Sequence, residues 1–174
     1  MAEPAKPEQK IGSIMFILGW LVFFALLAWF FDDLLQQQDN PNQQPQTNNA
    51  SQLQEVILKP NRGHHYVVSG LINNQPVTFL LDTGATDVVI PAGLADKLKL
   101  RRGTEQIANT ANGTVRVYAT QLQTLSIGNI KLDNIRASIN PGMSDSTVLL
   151  GMSALKQIEF AQRGDNLILR QYLY

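Results

Sequence analysis

The stretch that decides the fold of this chain is Gly70-Leu71-Ile72-Asn73-Asn74-Gln75-Pro76-Val77-Thr78-Phe79-Leu80-Leu81-Asp82-Thr83-Gly84-Ala85-Thr86. Apolar runs on both sides of Asn73-Asn74-Gln75 predict two strands, residues 66–72 and 76–81, joined by a tight turn. The second strand delivers Asp82 into a turn at its end. The stretch therefore predicts one carboxylate directly after an apolar strand, inside a tight Thr-Gly turn.

The neighbours of Asp82 suit an active-site loop. Thr83 brings a short hydroxyl that can tie the turn to nearby backbone, and Gly84 allows close approach of another chain segment because it has no Cβ. The small Ala85 leaves the floor of the loop open. We therefore take Asp82 as the candidate catalytic residue and Thr83, Gly84 and Ala85 as its supporting loop.

A carboxylate in such a loop gains its chemistry from a second one. Two carboxylates about 3 Å apart cannot both ionise, so one stays protonated while the other acts as a base. The base takes a proton from a water that attacks a peptide carbonyl, and the acid donates to the developing oxyanion, with no metal and no cofactor. No second Asp-Thr-Gly or Asp-Ser-Gly occurs in the 174 residues. If Asp82 is catalytic, two chains must meet.

The rest of the globular part reads as short strands. From residue 53 onward, β-branched and apolar runs alternate with Gly, Asn and Pro, which predicts a small, mostly β domain with one or two short helices. The helices are predicted at residues 91–100 and 152–158. Hairpins are predicted to turn at Asn112-Gly113, Gly128-Asn129 and Arg163-Gly164-Asp165.

An uncharged apolar run covers residues 11–31. As a helix it would span roughly 31 Å, which matches one bilayer crossing. The run is longer than the roughly 7 to 15 residues of a signal-peptide core, and no clear Ala-x-Ala site follows, so we predict an uncleaved transmembrane helix. Lys6 and Lys10 precede it and Asp32 and Asp33 follow, which predicts a cytoplasmic N-terminus.

These boundaries give the predicted domain organisation. A cytoplasmic N-terminus (1–10) and a transmembrane helix (11–31) are followed by a Gln/Asn/Pro-rich linker (32–52) and the folded domain (53–174). Residues 36–52 have almost no apolar surface, so we predict a flexible tether. The chain is then a single-pass protein of the inner (cytoplasmic) membrane with its folded domain in the periplasm or otherwise extracytoplasmic.

Composition excludes several function classes. The formal net charge is zero and no basic run occurs, so the electrostatic footprint of a nucleic-acid-binding protein is missing. The absence of cysteine excludes disulfides, thiol catalysis and cysteine metal sites.

His64-His65 predicts a surface pair and not a metal site, because adjacent strand residues point to opposite faces. Arg101-Arg102 predicts a solvated helix end, with an alternative as a contact for anionic lipid or substrate.

By these residues the chain resembles the retropepsin-like aspartic proteases, and specifically their bacterial membrane-anchored single-domain branch. The resemblance rests on residues 70–86, on Leu149-Leu150-Gly151 about 69 residues after Asp82, and on the Asn112-Gly113 hairpin about 30 residues after it. In the family, the apolar-apolar-Gly element packs beside the catalytic loop. The hairpin corresponds to the flap that closes over substrate.

The resemblance implies a closed, retropepsin-like β domain that acts as a homodimer on polypeptide substrates. One Asp82 from each chain would meet at the two-fold axis, and Thr83 would make hydrogen bonds across the subunits. Gly84 would lie where the substrate main chain approaches. Substrate contacts would come from the floor residue Asp87 and from the flap tip, which comprises Ala111, Asn112, Gly113 and Thr114.

The chain departs from the retroviral pattern in one respect. Retroviral relatives follow Asp-Thr-Gly-Ala with two acidic residues and place Arg after the downstream Gly, whereas this chain has Thr86-Asp87 and Met152. In the retroviral relatives an acidic residue of this loop and that arginine form an ion pair. Both partners are replaced in this chain, by Thr86 and Met152, which argues against the retroviral dimer details more than against the fold. Whether the terminal strands, residues 54–58 and 167–173, build the dimer interface therefore stays open.

Two other function classes remain open at the level of sequence. The same fold could serve as a membrane-tethered, non-catalytic peptide-binding or interaction module in which Asp82 is only a turn residue. Alternatively, the chain could be a membrane scaffold that makes its contacts through the Gln/Asn-rich segment. Substitution of Asp82 discriminates between these classes and the protease.

Overall fold

The structure is a computed structural model that describes residues 7–50, 52–110 and 113–173. The chain divides into two compact units, Met1–Gln38 and Asp39–Tyr174. The predicted flap residues Ala111 and Asn112 lie outside the described residues.

The first unit is a helix, α1 (Pro7–Asp39). Between Ile14 and Asp39 it is long and apolar enough to cross a membrane, and none of its most apolar part is buried. Membrane spans and signal sequences share this length and composition. The helix runs past the predicted end at residue 31 because Leu and Gln continue it, and it stops before Asn40-Pro41, where the proline disfavours a helical residue before it.

The described residues of the second unit form eleven strands and two short helices. The strands are β1 (Gln46–Ala50), β2 (Leu53–Leu58), β3 (Val67–Ile72), β4 (Gln75–Leu81), β5 (Val88–Pro91), β6 (Glu105–Thr110), β7 (Gly113–Ile127), β8 (Ile130–Asn140), β9 (Thr147–Leu150), β10 (Glu159–Arg163) and β11 (Asn166–Tyr172), and the helices are α2 (Ala92–Lys97) and α3 (Met152–Leu155). The predicted mostly β domain with short helices is confirmed.

Seven strands form a sheet in the order β3-β4-β9-β5-β8-β7-β6, and β3 also pairs with β7. This extra pairing closes the sheet, as expected for a closed β domain. Gly70 makes the closure possible, because a Cβ on Gly70 would lie 2.3 Å from the Ser126 carbonyl oxygen. The ring of Phe79, fully buried, packs beside Gly70. Gly70 thus allows β3, the first strand of the sheet, to pair with β7.

The other four strands form an antiparallel sheet in the order β1-β2-β11-β10. Arg170 on β11 lies opposite Glu55 on β2, and its Nε donates to Glu55 Oε2 at 2.8 Å. The guanidinium and the amide of Asn48 hold the pKa of the Glu55 carboxyl below its ordinary value. These contacts bind the C-terminal strand to the start of the domain.

The expected flexible tether over residues 36–52 differs from what the structure shows. Its first residues continue α1, and β1 pairs with β2. Between them, Asn42 is 3% exposed, and its amide nitrogen donates to the carbonyl oxygens of Lys59 (2.8 Å) and Val67 (2.7 Å). Its side-chain oxygen accepts from the Lys59 N–H at 2.8 Å. A polar segment can be ordered by hydrogen bonds to a folded domain, a contribution that composition does not reveal.

Candidate active site

The loop between β4 and β5 presents Asp82. Its backbone N–H donates to the Leu150 carbonyl at 3.2 Å, and its carbonyl accepts from the Ala85 N–H at 3.3 Å. The Gly84 N–H donates to Asp82 Oδ1 at 2.9 Å, which fixes the direction of the half-buried carboxylate.

The residues after β9 hold this loop in place by hydrogen bonds. The Met152 N–H donates to the Ala85 carbonyl at 2.8 Å, and the Ser153 N–H donates to the Thr86 carbonyl at 2.9 Å. Gly151 is needed at this contact, since a Cβ there would lie 2.7 Å from the Ala85 carbonyl oxygen. Leu149-Leu150-Gly151 therefore lies beside the Asp82 loop, where the resemblance places it.

Ser153 is a supporting residue that sequence reasoning missed. Its hydroxyl is buried, accepts from the Val88 N–H at 3.0 Å and donates to the Arg136 carbonyl at 2.7 Å. It thereby ties the end of the loop to β8. A serine in the first turn of a helix that follows a glycine was the available signal, but serine is ordinary at such positions.

The hairpin of β6 and β7 overhangs the loop. Thr110 Oγ1 donates to the Gly113 carbonyl at 2.8 Å, and Gly113 has a φ of 109°, a conformation that favours glycine. Thr114 is exposed on the β7 side of the hairpin. The predicted hairpin is present, and Ala111 and Asn112 of its predicted tip lie outside the described residues.

A cleft of about 610 Å³ lies between the Asp82 loop and this hairpin. Its lining comes from the Asp82 loop, β5, the two hairpin strands, β8 and β9, through Asp82, Gly84, Ala85, Thr86, Asp87, Val89, Gln106, Ile107, Ala108, Asn109, Thr110, Val115, Val117, Ser138, Asn140 and Leu149. Ile107 is 76% exposed, so a large apolar side chain is open to solvent. The cleft has the mixed apolar and polar lining that peptide ligands require.

The predicted site residues divide into those that line this cleft and those that support or flank it. Asp82, Gly84, Ala85, Asp87 and Leu149 line the cleft, whereas Thr83, Gly113 and Thr114 are exposed outside its lining. Leu150 and Gly151 are buried beneath the loop. The hairpin residues Gln106 to Thr110, as well as Val89, Ser138 and Asn140, were not predicted, because their contribution depends on strand pairing.

Asp87 has a cationic partner that the sequence did not indicate. Its Oδ1 accepts from Arg136 Nε at 2.7 Å, and the Asp87 side chain is 22% exposed. Thr86 and Met152 stand where retroviral relatives have an acidic residue and an arginine, so the sequence predicts that their ion pair is lost. The structure instead supplies the arginine from β8. Asp82 has no such partner among the described residues.

His64 and His65 lie in the loop before β3, where backbone hydrogen bonds join both residues to Asn61. The φ of His64 is 59°, in the left-handed region. Within residues 7–50, 52–110 and 113–173, no three His, Cys, Asp or Glu side chains come together as a metal site would require.

Comparisons with known proteins agree with this geometry. Residues 68–157 match the family described as "gag-polyprotein putative aspartyl protease". The chain is similar to the crystal structure of a retropepsin-like aspartic protease from Rickettsia conorii, with 27% identity and a TM-score of 0.55 over 74% of this chain and 95% of the other. The family match spans the Asp82 loop, the hairpin and the element ending at Gly151.

Two curated relatives are also similar. An uncharacterized protein in the cobV 5′ region of Sinorhizobium sp. is 32% identical over 121 residues, covering 67% of this chain and 52% of the relative. Uncharacterized protein RP867 of Rickettsia prowazekii (strain Madrid E) is 27% identical over 128 residues, covering 71% and 54%. The chain thus spans about half the length of the curated relatives it matches.

Proposed function

Because this chain belongs to the gag-polyprotein aspartyl protease family, we propose that it is an aspartic endopeptidase that hydrolyses peptide bonds in extended polypeptides. The observation that carries the proposal is the placement of Asp82. Its carboxylate faces a cleft of about 610 Å³, has no cationic partner among the described residues and is oriented by the Gly84 N–H.

The chemistry needs a second carboxylate, which we propose is Asp82 of a second copy of the chain. Thr83 and Gly84 are exposed beside Asp82, so the loop offers a surface on which another copy can approach. Contact about a two-fold axis would be isologous and would place the two carboxylates together. The ionised one takes a proton from the attacking water, and the protonated one donates to the carbonyl oxygen of the scissile bond.

The terminal strands constrain where such an interface lies. The C-terminal strand β11 is already paired on both sides, with β2 and β10. A second copy therefore cannot insert a strand beside β11 without breaking these pairings. We propose that the contact is made at the Asp82 loop, with the outer strands β1 and β10 as the available edges of this sheet.

We also propose that α1 anchors the chain in the inner membrane, with residues 1–10 cytoplasmic and the protease domain extracytoplasmic. The apolar run over residues 11–31, which forms part of a helix long enough to cross a membrane, supports the anchor. The lysines before the run and Asp32 and Asp33 after it support the orientation. Residues 32–52 would then connect the anchor to the catalytic domain. Confinement to one membrane would raise the effective concentration of neighbouring copies.

The decisive experiment compares full-length protein with the Asp82→Asn variant on an unfolded polypeptide. Asparagine keeps the size of the side chain but cannot ionise, so we expect cleavage to fall by about 10²- to 10⁴-fold. Asp133→Asn, a change of the same type on the exposed side of β8, serves as the matched control and should keep full activity. Equal cleavage by Asp82→Asn and parent would contradict the endopeptidase proposal and favour a non-catalytic peptide-binding module.

The shared dyad has its own test, since it predicts that mixed dimers are inactive. Parent chains are mixed with increasing amounts of Asp82→Asn chains at constant total concentration. The cleavage rate should follow the square of the parent fraction. A rate that falls only in proportion to the parent fraction would mean that a single chain suffices.

A further inference from the structure

A second cleft of about 670 Å³ lies at the base of the hairpin, outside the candidate active site. Its walls come from the loop after α2, from the middle of β7 and from the turn between β3 and β4. The residues that matter here are Asn73, Lys99, Arg101, Thr104, Thr120 and Gln121. No carboxylate belongs to its lining, so its two charged residues are both cations.

The cations of this cleft have no carboxylate partner among the described residues. The two nearest acidic residues in sequence are already paired, Asp96 with Arg102 at 3.0 Å and Glu105 with Arg116 at 3.6 Å. Arg102 also lies over the ring of Tyr118, at 5.8 Å from its centroid. Of the Arg101-Arg102 pair, one arginine is therefore committed to the fold, whereas Arg101 remains available to a ligand.

The backbone of Lys99 adds an independent observation. The Lys99 N–H donates to the Asp96 carbonyl and the Leu100 N–H donates to the Ala95 carbonyl, a pattern that ends a helix with a left-handed residue. That residue is Lys99, with a φ of 55°. Glycine usually occupies this position, because a side chain there costs on the order of 1 kcal/mol. Lys99 is exposed and lies at the edge of the cleft in this strained conformation. Residues with strained backbone cluster at binding sites.

The second cleft lies next to the candidate active site along the same pair of strands. Gln106 and Val117 face each other across β6 and β7 and line the first cleft. Thr104 and Ala119 line the second, and the Ala119 N–H donates to the Thr104 carbonyl at 3.0 Å. Gln106 and Thr104 are two residues apart, so the clefts are separated by about 7 Å along an extended strand. A polypeptide in the first cleft needs only a few more residues to reach the second.

We propose that the second cleft is an additional substrate-binding subsite that takes an acidic segment of a polypeptide. Lys99 and Arg101 would pair with carboxylates of Glu or Asp, and the hydroxyl and amide groups of Thr104, Thr120 and Gln121 would bind the main chain of the extended segment. The short distance to the first cleft favours a polypeptide over a lipid head group. The subsite rests on the proposed peptidase function, which it extends by naming a substrate class.

Binding is measured on full-length Asp82→Asn protein in nanodiscs of zwitterionic lipid, with a labelled hexaglutamate peptide as the probe. Exposed ion pairs are weak singly, so the double variant Lys99→Gln/Arg101→Gln should bind about tenfold less tightly. The matched control Arg62→Gln/Lys156→Gln removes two exposed cations outside the lining and should leave binding unchanged. Equal losses in both variants would mean a diffuse charge effect and would overturn the proposal.

Unlabelled sn-glycerol 3-phosphate competes with hexaglutamate in the second arm. Weak or no displacement is expected, and displacement at lower concentration than unlabelled hexaglutamate would assign the cleft to a lipid head group and refute the peptide subsite.

Cleavage gives the third arm, with peptides that share one scissile core and carry flanking glutamates or glutamines at either end. The parent should prefer the glutamate form by about tenfold in kcat/KM, and the Lys99/Arg101 variant should lose that preference.

The two proposals fail separately. If parent protein cleaves neither peptide but hexaglutamate still needs Lys99 and Arg101 to bind, the endopeptidase proposal is wrong and the anionic-peptide site stands. If cleavage depends on Asp82 but hexaglutamate does not bind, or binds without Lys99 and Arg101, the subsite is wrong and the endopeptidase stands.

Discussion

Gly151 lies so close to Asp87 that a Cβ on Gly151 would sit 2.1 Å from the Asp87 carbonyl oxygen. Gly151 follows β9, and Asp87 ends the loop that begins at Asp82. The contact fixes both ends of that loop together with the hydrogen bond from the Asp82 N–H to the Leu150 carbonyl. The direction of the Asp82 carboxylate therefore depends on a residue that carries no side chain.

The Gly151→Ala variant should lose both stability and activity. The new methyl group meets backbone atoms that cannot move without opening the loop, so we expect a loss of about 3 kcal/mol in the free energy of unfolding, or more. Denaturant titration of the full-length protein measures the loss, and the cleavage assay shows whether any folded fraction is active. A variant with parental stability and activity would show that the loop is less tightly held than the structure indicates.

Gly93→Ala is the matched control. Gly93 is an exposed residue of α2, and a Cβ there would meet nothing within 4 Å. Alanine is a better helix former than glycine, so this variant should gain about 0.5–1 kcal/mol. The opposite signs at Gly93 and Gly151 would separate close approach from a general effect of adding a methyl group.

Asn42 should contribute strongly to the stability of the folded domain. The Asn42→Ala variant removes three hydrogen bonds and leaves the Lys59 N–H and two carbonyl groups without their partner. Unsatisfied buried groups cost about 1–3 kcal/mol each, and with partial relaxation we expect a loss of about 3 kcal/mol in the free energy of unfolding. Gln44→Ala, at an exposed position two residues away, should change it by less than about 0.5 kcal/mol. Similar small effects at both positions would mean that the segment is not docked.

Glu55 should make the stability depend on pH in the acidic range. Arg170 and Asn48 lower the pKa of the Glu55 carboxyl in the folded state. The contribution of Glu55 to the free energy of unfolding is therefore present above the unfolded pKa of about 4.3, and it is lost as the pH falls through the lower folded pKa. The Tm of the Glu55→Gln variant should therefore decrease less steeply than that of the parent below about pH 4.3. Glu105→Gln, which alters a more exposed pair with Arg116, is the control and should keep the parental slope.

The pair of Asp87 and Arg136 should contribute little to global stability. The Arg136 side chain is 63% exposed, and exposed pairs are screened by water. A double-mutant cycle with Asp87→Asn and Arg136→Gln should give a coupling energy of about 0.5 kcal/mol. A value above about 2 kcal/mol would show that the pair is effectively buried, as in a dry interface.

Much of the local structure follows from the sequence. Asn73, Asn74, Gly113 and Gly128 have a positive φ, which Asn and Gly accept, and a hairpin forms at each of these three predicted turns. The Leu149-Leu150-Gly151 element could also be placed beside Asp82, but only through the resemblance. The predicted helices are present and shorter than expected, because Leu98 to Leu100 are used to end α2.

Other features could not be read from the sequence. The strand β5 has four residues, too few for a periodic signal, and its existence depends on pairing with β8 and β9. Arg136 is about 50 residues from Asp87, so their contact depends on the parallel register of β5 and β8. The order of residues 46–50 depends on the edge of β2, which a composition rich in Gln and Asn does not reveal.

The sequence by itself determined where Asp82 stands in its turn, the membrane-length apolar run and the alternation of strands and turns, because these depend on residues close together in the chain. Only the tertiary structure decided what surrounds Asp82. The closure at Gly70, the clamp at Gly151, the arginine opposite Asp87 and the second cleft beside Lys99 and Arg101 all arise where distant strands pair. Their geometry is set by register and close packing, which no local pattern encodes.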